Sequence, residues 1–270
     1  MIKLLIHQLK ENLRDVLPWI ILSFLATIIL TFLNKHFDST FLLVILGIAT
    51  FAMFLSFALS MVMVIINDYK SFYGQNAAFF DVLPIKSSGI TSSRIINIMI
   101  MTFFLAILFL IELFILAGLT SGLGVIEGFK SLFILIRDGF KELRLMDIGL
   151  MVLIVLSSLF SGISRITASI TIGSDKTFKD LGIFGPILVY ILITIALFIL
   201  SSIFAYTAIE LRFFAQMTSP ETDATFTVEM AQMTNNIRKI ILVGSIANIL
   251  FGSIQSFFTN YFHKNRLTVG

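Results

Sequence analysis

The sequence lacks cysteine and has only three histidines. Without cysteine the chain cannot hold a disulfide, a thiolate nucleophile or a cysteine-ligated metal. We place His7 in an N-terminal helix, His36 in an outer loop and His263 in the C-terminal tail, so the three cannot form one site. Neither a paired-histidine zinc signature nor a GxSxG nucleophile elbow occurs. These absences argue strongly against an intramembrane hydrolase.

A phosphate-binding loop for ATP is also missing. It requires the pattern G-x-x-x-x-G-K-[ST], whose backbone N–H groups and lysine hold the phosphates. The nearest string, GVIEGFKS from Gly124 to Ser131, has the wrong spacing and a phenylalanine before the lysine. We therefore expect that this chain is not an enzyme, does not hydrolyse ATP and has no metal or cofactor of its own.

Charged residues are scarce and apolar residues abundant. Of 270 residues, 57% are hydrophobic and 13% are charged, and the mean hydropathy is +1.00. Soluble domains carry about 25% charged residues. The composition thus predicts an integral membrane protein. The net charge of +3 fits a bias of loop lysine and arginine that orients the chain, and we expect no nucleic-acid partner.

Six apolar runs predict six transmembrane helices in an all-α, polytopic fold. A span needs about 20 apolar residues to cross about 30 Å of hydrocarbon. The predicted spans are Leu17 to Leu33, Phe41 to Ile66, Ile95 to Leu119, Ile148 to Ile172, Ile183 to Ile209 and Ile240 to Phe262. Since neither a soluble second domain nor a clear internal repeat is visible, residues 1–270 are treated as a single transmembrane domain.

Two further segments have the pattern of amphipathic helices that lie on the membrane surface. In Met1 to Val16, apolar residues recur at helical spacing opposite charged ones, which predicts an N-terminal interfacial elbow helix; an ordinary solvated start of the first span is the alternative. Val125 to Met146 has a similar stripe. The apolar residues of the first stripe are Ile2, Leu5, Ile6, Leu9 and Leu13.

The orientation follows from lysine and arginine, which concentrate in cytoplasmic loops. With the N-terminus inside, the inner segments hold eleven of these residues and the outer segments eight. This weak bias predicts a multi-pass protein of a bacterial cell membrane with both termini in the cytoplasm. The segment Val125 to Met146 is then placed outside, and so is the hydrophilic segment Glu210 to Lys239.

The most informative stretch is the polar interruption between the second and third spans, Asn67 to Arg94. It carries charges, but it also carries an apolar ridge that includes Phe79, Phe80 and Leu83. A water-facing segment with such a ridge is typical of a surface that binds another protein. The alternative is that the two phenylalanines only anchor the segment in the membrane interface.

Three polar residues inside the predicted spans are candidates for a substrate path. Glu112 lies in the third span, where an ionised carboxylate is costly unless it faces the helix bundle or a wet cavity. A neutral carboxyl group, or one close to the outer interface, is the alternative. Asn248 and Gln255 lie in the sixth span, where amides also bond between packed helices, so packing is the competing explanation for both.

The order of these features resembles the permease subunits of ABC-2-type exporters from Gram-positive bacteria. The matching stretch reads LPIKSSGITSSR, in which Leu83-Pro84 is followed by a small polar run and Ser93-Arg94 enters the third span. The end of the fourth span, with Ile170, Ile172 and Gly173 before two lysines, and the exit FFTNYFHKNRL of the sixth are also similar.

This resemblance implies a coupling helix between about Tyr69 and Thr91 that docks on a separate ATP-binding subunit. The residues expected to carry the docking are Phe79, Phe80, Asp81, Leu83 and Pro84. It further implies two ATP-binding subunits, which hold ATP and Mg²⁺, and a second permease chain, identical or related. The cargo would be an amphipathic peptide or a lipid-like molecule, as in antimicrobial peptide export or resistance.

Two other classes of function stay open at this stage. A secondary transporter working alone would carry ionisable residues on several helices and an inverted repeat; only Glu112 clearly meets the first condition. A membrane immunity or scaffold protein that transports nothing would reside in the membrane without any ATPase bound to it.

Overall fold

The computed structural model describes both backbone and side chains for residues 2–37, 39–74, 86–119, 144–175, 178, 181–203 and 237–264. It describes the helical backbone of 120, 204–210, 226–236 and 265–267, and single residues between 126 and 141. The predicted docking residues Phe79, Phe80, Asp81, Leu83 and Pro84 lie outside the described residues.

The described chain contains six long helices, each of which includes one predicted span to within a residue. Their bounds are α1 Ile2–Phe37, α2 Thr40–Tyr73, α3 Ser87–Thr120, α4 Leu145–Gly173, α5 Phe184–Glu210 and α6 Phe226–Leu267. By length and composition all six can cross a membrane. The described residues thus confirm the predicted all-α fold with six helices that are long and apolar enough to span a membrane.

Several helices are longer than the spans predicted within them. The 36 residues of α1 correspond to about 54 Å of helix, against a hydrocarbon core of about 30 Å. Residues 67–73 and 87–94, predicted in the connecting segment, are the ends of α2 and α3. Residues 226–239, predicted in an outer loop, begin α6. Hydropathy marks only the part of a helix inside the hydrocarbon.

The N-terminal residues are part of α1 and do not form a separate elbow helix. The helix is continuous from Ile2 to Phe37 through Pro18. Its buried residues recur every fourth position, at Leu4, Gln8, Asn12, Val16 and Ile20, whereas Ile2 and Ile6 of the predicted apolar stripe are exposed. The polar Gln8 and Asn12 are buried because α2 and α3 supply hydrogen-bond partners, which a sequence pattern based on hydrophobicity does not register.

The second predicted surface helix falls in a stretch of which the structure describes one side. Its eight described residues are helical and exposed, and their spacing places them along one side of a helix: Ile126, Glu127, Lys130, Phe133, Ile134, Arg137, Asp138 and Lys141. Asp138 accepts from Arg137 at 3.1 Å and lies 3.3 Å from the Lys141 ammonium. Exposed ion pairs of this kind contribute little to stability.

The helices have apolar exteriors and partly polar interiors. Large exposed hydrophobic side chains cover their outer faces, as at Phe32, Phe51 and Phe198. Many buried side chains are serine or threonine, whose hydroxyls donate to the carbonyl one turn earlier, as Thr31 does to Thr27 at 2.8 Å. This bond satisfies the hydroxyl within its own helix, so small polar residues can lie between helices that pack closely in lipid.

The chain divides into two compact units, residues 1–143 and 144–270. In the first, α1 packs against both α2 and α3. Ser23 lies against Ser56, with 2.9 Å between hydroxyl oxygens, and the Thr27 hydroxyl lies 3.2 Å from the Ala49 carbonyl oxygen, so α1 and α2 are antiparallel. Bonds between α1 and α3 join residues 85 apart, at Gln8 and at Asn12, so these two helices are parallel.

In the second unit α4 packs against α5 and α6. Successive contacts pair Ser158 with Asn248 at 3.0 Å and Ser164 with Ser256 at 3.1 Å, so α4 and α6 are parallel. Between these pairs lies Gly252, where an added Cβ would be 2.6 Å from the Phe160 ring. A glycine is therefore required for the close approach of the helices. Whether the two units act as one transport domain stays a prediction.

Candidate functional site

The candidate site is the end of the first unit at which α2 stops and α3 starts. Tyr73 ends α2 and Ser87 begins α3, so the predicted docking segment connects these two helix ends. Its own residues lie outside the described part of the chain, but its base is described. The base consists of three layers formed by α1, α2 and α3.

The outermost of these layers is apolar. Leu4, Phe72 and Ile90, one residue from each helix, form a buried cluster, and Tyr73 packs against it. At most 6% of each of these three residues is exposed. The layer covers the polar residues beneath it and thereby lowers the polarity of their surroundings.

The middle layer contains a buried ion pair between Asp68 of α2 and Arg94 of α3. The Arg94 Nη2 donates to Asp68 Oδ2 at 2.6 Å, and its Nε donates to Oδ1 at 3.0 Å. Exposure of the two side chains is 1% for Arg94 and 0% for Asp68. A two-point contact between guanidinium and carboxylate fixes both distance and orientation, so α2 and α3 are held in one relative position here.

Two aromatic rings complete the surroundings of the Arg94 guanidinium. Its central carbon lies 5.0 Å from the centre of the Phe72 ring and 5.2 Å from that of Tyr73. The Nη1 also donates to the Tyr73 hydroxyl at 3.3 Å. Cation–π contacts are stronger where water is excluded, so the last turn of α2 holds the arginine by its rings as well as by Asp68.

The polar contacts extend to α1. Ser93 donates to Gln8 at 2.9 Å in the layer of the ion pair. In the third layer the amide nitrogen of Asn67 lies 3.1 Å from Asn12 Oδ1 and 3.1 Å from Asp15 Oδ2, and the Asn12 amide donates to Asn97 at 3.4 Å. All three helices are thus joined at this end by side-chain hydrogen bonds, most of them buried.

The sequence prediction missed this base. It counted Asp68 and Arg94 among the charges of a water-facing segment, whereas the structure pairs them in a buried contact between α2 and α3. A signal was present, because the two residues have opposite charge and each lies close to the inner edge of an apolar run. Pairing them requires knowing that α2 and α3 are antiparallel and in contact, which an apolar run does not reveal.

Glu112, the first candidate for a substrate path, is buried in the first unit, with 5% of its surface exposed. Its Oε2 has no hydrogen-bond partner among the described residues. The offset of 85 residues between α1 and α3 places it level with Thr27. Relative to α2, Glu112 lies near the level of Phe54 and Phe57, because the ring of Phe109, three residues before Glu112, contacts both of these rings. The alternative of a carboxyl group hydrogen-bonded to a neighbouring helix does not hold for this oxygen.

Asn248 and Gln255, the other two candidates, lie two turns apart on α6 in the second unit. The Asn248 amide donates to Ser158 of α4, which is the packing role weighed against a substrate contact. Gln255 is buried, and neither its amide nitrogen nor its oxygen has a hydrogen-bond partner among the described residues. The structure therefore gives a partner to Asn248 and leaves Gln255 as the open candidate on α6.

No family model, no curated protein and no solved structure matches this chain. The resemblance to ABC-2-type permeases therefore rests on the sequence patterns given above and stays a prediction.

Proposed function

We propose that the chain is the membrane-spanning permease subunit of an ATP-driven exporter, and that an ATP-binding subunit docks on the segment between α2 and α3. The observation that carries the proposal is the buried Asp68–Arg94 ion pair at the base of that segment. A segment that transmits force needs stiff ends. The ion pair joins α2 and α3, the two helices that flank the segment, one to two turns from their ends at Tyr73 and Ser87.

The mechanism follows from this stiffness. ATP binding closes the pair of ATP-binding subunits, and the docked segments move with them. Because Asp68, Arg94 and Asn12 tie α2, α3 and α1 together, the displacement moves the three helices as one body. The permease exchanges between an inward-open and an outward-open state, both of which are populated without ATP. ATP shifts the populations because it binds more tightly to the complex in one state than in the other.

The complex contains two ATP-binding subunits, which carry ATP and Mg²⁺, and a second permease chain that is identical or related. The apolar outer faces of the helices contact membrane lipid. The chain resides in a bacterial cell membrane with both termini in the cytoplasm, which puts the docking segment on the side where ATP is present. The cargo is an amphipathic peptide or a lipid-like molecule.

Co-purification tests the proposal. The chain, tagged and extracted from its native host in a mild detergent, is expected to elute with a protein that hydrolyses ATP. Phe79→Asp and Leu83→Asp should abolish the co-elution, because a charge in the apolar ridge prevents docking. Phe37→Asp is the matched control, since Phe37 is an exposed phenylalanine at the opposite end of α1. It should leave the co-elution unchanged.

Each negative result has its own meaning. Elution of the unsubstituted chain without ATPase activity would overturn the proposed function and favour a transporter or scaffold that works alone. Undiminished co-elution of both aspartate variants would leave the function standing and place the docking surface elsewhere on the chain.

A further inference from the structure

Resting on the proposed function, we infer that the first unit contains a binding site for a cationic amphipath, with Glu112 as the group that recognises the cation. The exported molecules would then be amphipaths that carry an ammonium or guanidinium group on an apolar body. Three observations carry this inference: the buried Glu112 Oε2 has no hydrogen-bond partner among the described residues, α1 to α3 carry no lysine or arginine at its level, and an apolar groove begins at the next residue of α3.

Glu112 is buried, and its Oε2 meets no donor among the described residues. It lies about two turns inside the end of the candidate span at Leu119. A buried carboxylate in an apolar setting is stable in its ionised form only when a cation lies against it. The contrast with Asp68, which has Arg94, is direct.

The three helices α1, α2 and α3 offer no lysine or arginine at this depth. All of its lysine and arginine residues are described, and the nearest along α1 to α3 is Lys35. Lys35 lies eight residues beyond Thr27, the residue level with Glu112, which is about 12 Å of helix. Arg94 lies about five turns away and is already paired with Asp68. A cation that stabilises the ionised form of Glu112 therefore has to come from outside α1, α2 and α3.

A groove of about 350 Å³ next to Glu112 fits the apolar part of such a molecule. It runs along the seam between α2 and α3, and its α3 wall begins at the residue after Glu112. Five of its residues are apolar and one is a threonine: Leu46, Thr50, Phe54, Leu113, Leu116 and Ala117. Leu116 follows Glu112 by one helical turn, so Glu112 and this wall residue lie on the same side of α3.

These features select by charge and by shape. The groove favours an alkyl or aromatic body through burial of apolar surface. The carboxylate admits a cationic head group and repels phosphate or carboxylate groups. Anionic lipids are therefore expected to bind weakly at this site, and cationic amphipaths strongly.

Equilibrium binding of radiolabelled decyltrimethylammonium to the full chain in phosphatidylcholine nanodiscs tests the inference. Zwitterionic lipid avoids attraction of the probe to the bilayer surface. Glu112→Gln keeps the shape of the side chain and is expected to weaken binding about tenfold or more, because it removes the negative charge that attracts the quaternary ammonium group in surroundings of low polarity. Glu127→Gln removes an exposed carboxylate of the same unit and should change binding less than about twofold.

Three further measurements distinguish loss of the site from misfolding of the Glu112→Gln variant. Glu112→Asp retains the charge and should restore most of the binding that Glu112→Gln loses. Ala117→Phe narrows the groove and should weaken binding of decyltrimethylammonium but leave tetramethylammonium, which has no tail, unaffected. Uncharged 1-decanol should not compete with the labelled probe.

Binding to Glu112→Gln within about twofold of the original chain, or equal competition by 1-decanol, would overturn the site. The assay contains neither ATP nor an ATP-binding subunit, so its outcome is independent of the co-purification experiment. A chain that binds the ammonium probe but never elutes with an ATPase would keep the site and lose the proposed function.

Discussion

At the scale of single residues, the partner of a buried charge decides what that charge does. Arg94 has a carboxylate and two aromatic rings around it and serves to hold three helices together. Glu112 is buried to a similar degree but its Oε2 has no donor among the described residues. The first arrangement is typical of a structural contact, and the second of a group that awaits a ligand.

Removing one member of the Asp68–Arg94 pair should be costly. Asp68→Asn leaves the arginine charge buried without its carboxylate, and we expect the free energy of unfolding to fall by about 3–5 kcal/mol. The measurement is unfolding of the purified chain in mixed micelles, followed by the loss of helical circular dichroism. The partner experiment, Asp68→Leu with Arg94→Leu, removes both charges and should recover most of this loss.

Asp138→Asn is the matched control for Asp68→Asn, because it breaks contacts with two cations on the exposed side of a helix. Its effect should stay below about 1 kcal/mol, as is usual for solvent-exposed pairs. Equal destabilisation by the two asparagine variants would mean that Arg94 is not held by Asp68 in a dry interior.

At the scale of helices, the register of neighbouring elements follows from small polar residues. Serine hydroxyls of neighbouring helices are in contact at Ser23 and Ser56 in the first unit and at Ser164 and Ser256 in the second. Small residues let helices in a membrane approach closely enough for dispersion forces to hold them.

Because the chain has no cysteine, this register can be tested by introduced thiols without background. Ser164→Cys with Ser256→Cys should form a disulfide on mild oxidation, since the two hydroxyl oxygens are 3.1 Å apart. The measurement is the loss of maleimide-reactive thiol, confirmed by mass spectrometry. Ser164→Cys with Ser245→Cys, three turns away on α6, should remain reduced. Cross-linking of the second pair instead of the first would show that the helices are displaced along each other.

The sequence was sufficient to predict which segments are helices, because a run of about 20 consecutive apolar residues is typical of a transmembrane helix and rare in other structures. It could not predict where they end. Residues 67–73 and 87–94 are too polar to be part of an apolar run, yet their polarity is satisfied by neighbouring helices, as the contact of Ser93 with Gln8 shows. The site was missed for the same reason, since Asp68 and Arg94 are adjacent only after two helices have packed.

At the scale of the whole molecule, the proposed function depends on which face of the membrane the α2–α3 connection occupies. The first unit has two distinct ends along α1, one at Gln8 and Asn12 and the other at Lys35 and His36. The N-terminal end carries the base of the proposed docking segment. The transporter proposal requires this end, and not the other, to face the cytoplasm.

A membrane-impermeant maleimide distinguishes the two orientations. Ala78→Cys, within the connection, should react only after the cells are permeabilised. Lys35→Cys, at the exposed far end of α1, should react in intact cells. Reaction of Ala78→Cys in intact cells would place the connection outside, where no ATP-binding subunit could reach it. Because the chain has no cysteine of its own, maleimide labelling of each variant reports on the introduced cysteine alone.

The two members of the ion pair at the base of the first unit are synthesised at different times, so the pair cannot form until both have left the ribosome. Asp68 leaves the ribosome 26 residues ahead of Arg94, its counter-ion. During that interval the nascent chain presents a carboxylate with no cation to neutralise it, and Asn12 has met only one of its two later partners. The contacts at this end are therefore complete only after the start of α3 has been translated.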